Sequence, residues 1–352
     1  MSKLKLAVIF GGTSTEHDVS MVSATSVIQN LNKEKYEIYP TYIDKEGNWY
    51  NYTKEINEIK VLPIGTKLEE ISKINNIIEY LKQMDIAFPV LHGLGGEDGS
   101  IQGLFQMINL PYVGCGILAS SVGMDKIYTK IIFEKAGILQ TKYEYIKANN
   151  EEFTYIYKDF SEEKMKLTNI ADKIEKSLTY PMFVKPSNSG SSVGVKKANN
   201  NKELQEAIIN ASKYDTKILV EEGIIGREIE CAVLGTNEII SSPVGEVLAA
   251  EDFYSFDAKY NNQESKTVIP ADIDKNISNE IRDLSIKAFK AIDGKGLSRV
   301  DFFVENKTNK IYINEINTMP GFTTISMYPK LFEQIGISYT EILDKLIELE
   351  RV

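Results

Sequence analysis

Two carboxylates and one carboxamide near the end of the chain have the types and spacing of ligands for a divalent cation. Asp301 lies in one strand-like segment, and Glu315 and Asn317 lie in the next. A polar turn near Lys307 would join these strands as an antiparallel hairpin, in which Asp301 faces Glu315 and Asn317 lies on the same side. This all-oxygen set suits Mg²⁺, which also keeps water and phosphate oxygens as ligands. Arg299 offers the alternative of an internal salt bridge that needs no metal.

A lysine followed by very small residues forms a second candidate site. Lys185 ends a strand-like run, and residues 187–194 read Ser-Asn-Ser-Gly-Ser-Ser-Val-Gly. Such a loop exposes backbone N–H groups, which can cradle a phosphate together with the charge of the lysine. It is not a Walker A loop, because that motif ends in Gly-Lys-Ser/Thr. A flexible surface hairpin is the alternative.

Two more polar residues stand in glycine-rich stretches. Glu16 follows Gly11 and Gly12 at the end of the first apolar run. The third glycine of a dinucleotide fingerprint is missing there, which argues against a redox enzyme. The stretch is either a tight strand-to-helix turn or a place where Glu16 reaches the ammonium group of a ligand. His92 is one of only two histidines, and taken alone it is more typical of a buried, hydrogen-bonded side chain.

The elements that must position these residues fall into three stretches. An apolar run at 4–10 feeds a periodic segment at about 19–31, and further strand patterns follow, so the first part predicts a small parallel α/β layer. Residues from about 140 to 222 mix strands with charged helices in an α+β pattern. The last stretch contains the hairpin and a polar region at about 249–266. Ordered loops of that length are usually functional.

Length, composition and charge exclude several classes of protein. The 352 residues suffice for two or three domains, and 43% hydrophobic with 26% charged residues is ordinary globular usage. A net charge of −10 argues against a nucleic-acid or anionic-membrane binder and favours small substrates. Cys115 and Cys231 lie too far apart for a disulfide framework or a clustered zinc site. With no signal-like segment at the N-terminus, we expect a cytoplasmic protein.

Seven short motifs occur in a fixed order along the chain. They are Gly11–Glu16, His92–Gly93 with Gly95–Gly99, Met124–Lys126, Val184–Pro186 with Gly190–Gly194, Ala258–Tyr260, Arg299–Asp301 and Glu315–Gly321. Together they resemble the D-alanine–D-alanine ligase family of the ATP-grasp superfamily, and the resemblance runs from Lys5 to the last helix. Seven motifs in one order are very improbable by chance, which weakens the structural alternatives above.

The resemblance implies the ATP-grasp fold, an α/β and α+β architecture of three domains that begins with a parallel α/β domain. Residues 1–115 would form the N-terminal α/β substrate domain. Residues 116–223 would form the central ATP-grasp subdomain with a phosphate lid. Residues 224–352 would form the C-terminal ATP-grasp subdomain with the metal site and an ω-like loop.

The activity implied by the resemblance is ATP-dependent ligation of two D-alanines through a D-alanyl phosphate. The products would be D-alanyl-D-alanine, ADP and phosphate, and the dipeptide would serve peptidoglycan precursor synthesis. ATP and two Mg²⁺ (or Mn²⁺) ions would be required. The partners would be small molecules rather than nucleic acid or membrane, and the enzyme would be a homodimer.

By the same resemblance, five side chains contact the nucleotide. They are Lys126 and Lys185 on the phosphates, Ser192 in the lid, and Glu221 and Glu228 at the adenine and ribose. The metal ions would be held by Asp301, Glu315 and Asn317.

The remaining implied site residues act on the two amino acids. Glu16 would lie near the ammonium of the first D-alanine and would join Ser191 and Tyr260 through hydrogen bonds when the site closes. Arg299 and the backbone N–H of Gly321 would stabilise the tetrahedral oxyanion. The substrate-binding residues would be His92, Lys259, Ser326 and Met327.

Two rival functions remain at this point. A ligase of the same fold could join D-alanine to D-serine or D-lactate, as in glycopeptide-resistant cell walls. A nucleotide-binding regulatory protein without turnover is the rival from another class. The presence of Asp301, Glu315, Asn317, Arg299 and Lys185 argues against the regulatory protein.

We predict that D-alanine is preferred over D-lactate and D-serine as the second substrate. By the resemblance, Tyr260 accompanies dipeptide formation, and Met327 offers no hydrogen-bond donor to a serine hydroxyl. An apolar wall rejects an added hydroxyl only weakly, so slow ligation of D-serine is expected. Competition assays at pH ~6 to ~9 measure the preference, because an amine nucleophile must lose its proton before attack. Mainly alanyl-lactate at pH ~7, or preference for D-serine, would contradict the roles given to Tyr260 and Met327.

Overall fold

The structure is a computed structural model that describes residues 2–66, 68–149, 152–248 and 266–351. These residues form three sheets, of five, six and five strands, with helices packed on them. Among the described helices, none is long and apolar enough to cross a lipid bilayer. Lys259, Tyr260 and nearly all of the polar region at 249–266 lie outside the described residues.

The first sheet has parallel strands at its centre. Its elements are β1 (Leu4–Gly11), α1 (His17–Asn30), β2 (Tyr36–Ile43), β3 (Trp49–Tyr52), β4 (Ile71–Lys73), α2 (Ile77–Leu81), β5 (Ile86–Pro89) and α3 (Ser100–Met107), with a 3₁₀ turn at Ile56–Glu58. The strand order is β4-β3-β2-β1-β5, and β1 pairs in parallel with both β2 and β5. β3 and β4 extend the sheet antiparallel, so the layer is mixed rather than purely parallel. A strand buried on both faces needs a continuous apolar run, which the sequence of β1 supplies.

The second sheet is antiparallel throughout and carries two helices on one face. Its elements are α4 (Ile117–Met124), α5 (Lys126–Lys135), β6 (Tyr143–Asn149), β7 (Glu152–Ile156), β8 (Glu162–Met165), α6 (Leu167–Ile174), β9 (Met182–Pro186), β10 (Lys196–Ala198), α7 (Asn201–Ala211) and β11 (Lys217–Glu222). The order is β10-β9-β11-β6-β7-β8. Apolar residues of α6 and α7 recur three or four positions apart and pack on the sheet in one core. This arrangement places the end of β9, with Lys185, beside β11.

The third sheet contains the hairpin that the sequence predicts. Its elements are β12 (Gly226–Gly235), β13 (Ile239–Leu248), β14 (Lys266–Val268), α8 (Lys275–Ala291), β15 (Gly296–Glu305), β16 (Ile311–Asn317), α9 (Met327–Glu333) and α10 (Tyr339–Glu348). The order is β14-β13-β12-β15-β16, antiparallel throughout. Asp301 pairs with Glu315 and Arg299 pairs with Asn317, so the predicted facing of Asp301 and Glu315 is confirmed. A register shift after Asp301 moves the pairing by one residue from Phe302 onward.

One aromatic cluster joins the first sheet to the third. Phe322 is fully buried, and its ring centroid lies 6.0 Å from that of Phe88 in β5. The same ring lies 5.3 Å from Tyr328 and 6.0 Å from Tyr339, both in the last helices. The backbone N–H of Phe322 also donates to Ser23 Oγ in α1 at 3.3 Å. Aromatic pairs at these distances add to the burial of their apolar area, so Phe322 holds two parts of the molecule together.

Phe322→Ala is expected to lower the free energy of unfolding by about 3–5 kcal/mol, because a fully buried ring is replaced by a cavity. Chemical denaturation followed by circular dichroism measures the change. Met107→Ala is the control, since Met107 is 86% exposed and the expected change is within about 0.5 kcal/mol. Equal stability of the two variants would show that the cluster does not connect the two parts.

Candidate active site

Side chains from all three parts of the chain line one cleft. Among the described residues, the cleft encloses about 1710 Å³. Its lining includes fourteen of the residues implied by the resemblance, namely Glu16, His92, Lys126, Lys185, Ser191, Ser192, Glu221, Glu228, Arg299, Glu315, Asn317, Gly321, Ser326 and Met327. Asp301 is buried and is absent from that lining. Lys259 and Tyr260 lie outside the described residues, so their roles stay predictions.

Glu16 connects the first part of the chain to the Gly/Ser loop. It stands at the start of α1 with a side chain that is almost fully buried. Ser191 Oγ donates a hydrogen bond to Glu16 Oε1. Gly93 and Gly190 flank the same carboxylate, and a Cβ at either position would overlap Glu16 Oε2. The missing side chains at these two glycines therefore let the loop close directly on Glu16.

The Gly/Ser loop is held by specific bonds at several points. Asn188 donates from its backbone and its side chain to Asp215 Oδ2, at 2.8 and 3.0 Å. Lys126 Nζ donates to the carbonyl of Ser189 at 2.6 Å. Ser191 has a φ of +47°, a value that L-residues rarely adopt. These contacts favour a structured loop over the flexible surface hairpin that the sequence left open.

Glu221 lies between two lysines. Glu221 Oε1 is ion-paired with Lys185 Nζ, and Glu221 Oε2 lies 2.9 Å from Lys130 Nζ. Thr141 Oγ1 donates to Glu221 Oε2 at 2.9 Å. Burial opposes the charge of Glu221, but the two lysines outweigh it and hold the pKa of the carboxyl well below its ordinary value. The contact of Glu221 with adenine stays a prediction.

Lys130 was missed by sequence reasoning, although a signal was present. It follows Lys126 by one turn of α5, so the two lysines share a face of that helix. What the sequence could not reveal is that Lys130 reaches Glu221, which lies on β11 of the second sheet.

The hairpin carries a buried ion cluster. Arg299 Nε and one terminal guanidinium nitrogen each donate to Asp301 at 2.7 Å, and Glu230 Oε2 lies 3.1 Å from Arg299 Nε. Asn317 Nδ2 donates to Asp301 Oδ2 at 3.0 Å. Burial opposes the charge of Arg299, but Asp301 and Glu230 outweigh it and raise the pKa of the guanidinium well above its ordinary value. The salt bridge that the sequence offered as an alternative is therefore present, and Glu230 on β12 is a partner that sequence reasoning missed.

The same residues have the donor chemistry of a magnesium site. Asp301, Glu315 and Asn317 offer carboxylate and amide oxygens from one face of the hairpin. Each carboxylate oxygen has more than one lone pair, so the bonds to Arg299 leave Asp301 able to accept a further partner. Within the described chain, no group of three or more His, Cys, Asp or Glu side chains could hold a metal ion. A site here would therefore consist of two carboxylates and one carboxamide, and it stays a prediction.

His92 bonds to protein atoms through both ring nitrogens. Nδ1 lies 3.0 Å from the Met319 carbonyl oxygen, and Nε2 lies 2.8 Å from Ser23 Oγ. Burial lowers the pKa of His92, against the opposing effect of Glu16. The structure thus places His92 at the wall of the cleft, where its ring supports residues 318–326, here called the Met319 loop. Contact of His92 with substrate stays a prediction.

Glu97 lies in the Gly95–Gly99 motif, but sequence reasoning gave it no role. Its carboxyl accepts hydrogen bonds from the backbone N–H groups of Gly93 and Met319, both at 2.9 Å. Burial, aided by the charge of Glu16, raises the pKa of Glu97 to about 8. Glu97 holds the backbone of Gly93 and of Met319, and His92 holds the carbonyl of Met319. The two side chains therefore fix the backbone two residues before Gly321.

The predicted second-substrate residues lie just after that loop. Thr323 donates its backbone N–H to Ser326 Oγ at 2.9 Å. Ser326 precedes α9, and Met327 begins it. Both line the cleft, as does Glu228 on β12. Their contacts with substrate or nucleotide stay predictions.

Family models identify the group to which the chain belongs. The model described as "D-ala D-ala ligase N-terminus" matches residues 5–115, and the model described as "D-ala D-ala ligase C-terminus" matches residues 132–348. The chain belongs to the D-alanine–D-alanine ligase family. The resemblance found in the sequence is therefore confirmed.

Individual relatives agree over nearly the whole chain. D-alanine–D-alanine ligases of Acetivibrio thermocellus and Ruminiclostridium cellulolyticum are 50% and 48% identical, over 99% of this chain and 96% of each relative. Among solved structures, the VanG D-Ala:D-Ser ligase from Enterococcus faecalis has a TM-score of 0.85 at 37% identity, over 99% of this chain and 100% of that one. The D-alanine-D-alanine ligase from Coxiella burnetii has a TM-score of 0.81 at 31% identity, over 99% and 94%. The expected ATP-grasp fold is thus confirmed.

Gly190→Ala tests the closure of the loop on Glu16. The φ of Gly190 is not positive, so alanine causes no backbone strain at this position. The effect of the substitution comes from the overlap of the added Cβ with the Glu16 carboxylate. We expect kcat/KM to fall by about tenfold or more with little change in melting temperature, since a displaced loop misaligns the site.

Gly103→Ala is the matched control. Gly103 lies in α3, where an added Cβ has room. Its kcat/KM should be unchanged, and stability should rise by roughly 0.5–1 kcal/mol from the helix preference of alanine. Full activity of Gly190→Ala would rule out a requirement for this close approach.

Proposed function

We propose that this chain joins two D-alanines at the expense of ATP and releases D-alanyl-D-alanine, ADP and phosphate. Membership in the D-alanine–D-alanine ligase family over nearly the whole chain carries the proposal. The charges of the cleft suit this chemistry, because two lysines and an acidic hairpin face the same space. The dipeptide would serve peptidoglycan precursor synthesis.

The first step activates one D-alanine. A carboxylate oxygen of that amino acid attacks the γ-phosphorus of ATP, the bond from phosphorus to the β-bridging oxygen breaks, and ADP leaves. Lys126 and Lys185 stabilise the negative charge on the phosphoryl oxygens. Glu16 holds the ammonium of the same D-alanine. Asp301, Glu315 and Asn317 would hold two Mg²⁺ (or Mn²⁺) ions, which neutralise phosphate charge when bound.

The second step forms the peptide bond. The amine of the second D-alanine, having lost a proton, attacks the carbonyl carbon of the acyl phosphate. Arg299 and the backbone N–H of Gly321 stabilise the oxyanion of the tetrahedral intermediate, which then expels phosphate. Lys259, Ser326 and Met327 bind the second D-alanine.

Closure of the Gly/Ser loop protects the acyl phosphate from water. The hydrogen bond from Ser191 to Glu16 joins the loop to the first part of the chain. Tyr260 would be the third member of this connection, and Ser192 lies beside Ser191 over the phosphates. Excluding water matters because hydrolysis of the acyl phosphate would waste ATP.

D-Serine as second substrate is the alternative product choice. One observation favours considering it, namely the TM-score of 0.85 with the VanG D-Ala:D-Ser ligase. The relatives named D-alanine–D-alanine ligase reach 50% identity against 37% for that ligase, which favours D-alanine.

We also propose that the enzyme is cytoplasmic, since it consumes ATP to make a small precursor, and that it is a homodimer, as the family resemblance implies. The domain limits 1–115, 116–223 and 224–352 remain part of the same proposal. Sedimentation equilibrium of the purified chain gives its oligomeric state.

Product analysis tests the function. With ATP, Mg²⁺ and D-alanine, we expect equimolar D-alanyl-D-alanine, ADP and phosphate by mass spectrometry and a phosphate assay, and no turnover after chelation of the metal. The expectation follows from lysines and carboxylates arranged for transfer of the γ-phosphoryl group. Stoichiometric AMP would exclude an acyl phosphate.

Glu315→Gln is the companion variant in that assay. It removes a charge of the metal site and should lower turnover by about 100-fold or more with an unchanged melting temperature. A large fall in melting temperature without ligand would instead assign Glu315 a structural role.

A further inference from the structure

Lys130 is a buried cation that contacts a residue lining the cleft but does not line the cleft itself. It is only 3% exposed and does not line the cleft, whereas Glu221 and Lys185 do. Its Nζ lies 2.9 Å from Glu221 Oε2, donates to Thr141 Oγ1 at 3.1 Å, and stands 5.3 Å from the centre of the Tyr143 ring.

The contacts of Lys130 place it firmly. Thr141 accepts a hydrogen bond from Lys130 and donates one to Glu221, so the three groups form a closed triangle. Gln140 donates to the backbone carbonyl of Lys130 at 2.7 Å. A long side chain held in this way is fixed in one rotamer when the protein folds, so its charge has one position.

The charges decide what this position does. Lys130, Glu221 and Lys185 sum to one positive charge, and both oxygens of Glu221 are engaged, one by each lysine. Without Lys130, Glu221 and Lys185 would form a neutral buried pair, because a carboxylate in such surroundings must be balanced by a nearby cation. We propose that Lys130 is a positioning residue that neutralises Glu221, so that Lys185 presents net positive charge to the phosphates of ATP.

This inference rests on the proposed function, because it takes Lys185 as a phosphate contact. It adds a residue that touches neither substrate nor nucleotide. The role is electrostatic, so it predicts a specific pattern in kinetics. Loss of Lys130 should raise the KM for ATP and leave the KM for D-alanine unchanged.

The test begins with the wild-type enzyme and Lys130→Met, which keeps the length of the side chain and removes its charge. The KM for ATP should rise by about tenfold or more, and the KM for D-alanine should stay within about twofold. Lys135→Met is the matched control, because Lys135 is an exposed lysine at the end of the same helix. Its kinetic constants should equal those of the wild type.

A double variant separates charge balance from mere structure. In the wild type, Glu221→Gln should raise the KM for ATP, because the contact that orients Lys185 is weakened. In the Lys130→Met background the same substitution should lower the KM for ATP, because it removes the carboxylate that then neutralises Lys185. Lys130→Met itself leaves Glu221 paired with Lys185, and the double variant leaves only the charge of Lys185, which lines the cleft, so both variants should fold.

Each outcome has a definite meaning. A change of sign in the effect of Glu221→Gln supports the proposal. If the double variant is no better than Lys130→Met, or if Lys130→Met changes melting temperature without changing the KM for ATP, the proposal is overturned. A wild-type enzyme that forms no D-alanyl-D-alanine would refute the proposed function instead, so the two failures are distinguishable.

Discussion

The balance of buried charge is the constraint on which the rest of this site depends. A cleft that handles phosphate groups needs cations, yet unpaired lysine or arginine side chains are costly to bury. The protein meets this need with two clusters, one around Glu221 with its two lysines and one around Arg299 with Asp301 and Glu230. Each cluster holds a charged side chain at the cleft in a fixed position. Preorganised charge of this kind is what stabilises charge that develops during a reaction.

The closed loop is the second structural requirement, and it depends on the space left by missing side chains. Glu16 fits between Gly93 and Gly190, which belong to different parts of the chain, and Ser191 bonds to it. Small residues let the loop reach Glu16, and under the proposed function they also let the backbone of the loop approach phosphate. Charge placement and loop closure are coupled, because Lys126 bonds to the loop and lies near Glu315 of the hairpin.

The backbone of the Met319 loop shows how the parts of the chain support one another. Glu97 and His92, from the first part, bond to the N–H and the carbonyl of Met319, and Phe322 packs against Phe88. The proposed role of the Gly321 N–H in stabilising an oxyanion would need such support, because small errors in position reduce catalysis strongly. The aromatic cluster therefore contributes to the site as well as to stability.

The sequence by itself determined the local features, and the tertiary structure decided the partners. The register of the hairpin, with Asp301 facing Glu315, follows from strand pattern and turn position, which are local properties. The strand that contains Lys185, the small-residue loop and the helix after Glu16 are local in the same sense. The pairing of Lys130 with Glu221, of Arg299 with Glu230, and of Glu97 with the Met319 backbone was not predictable. Each joins segments far apart in the chain, and a buried charge is satisfied by whichever distant group the packing of the sheets brings within a few ångströms.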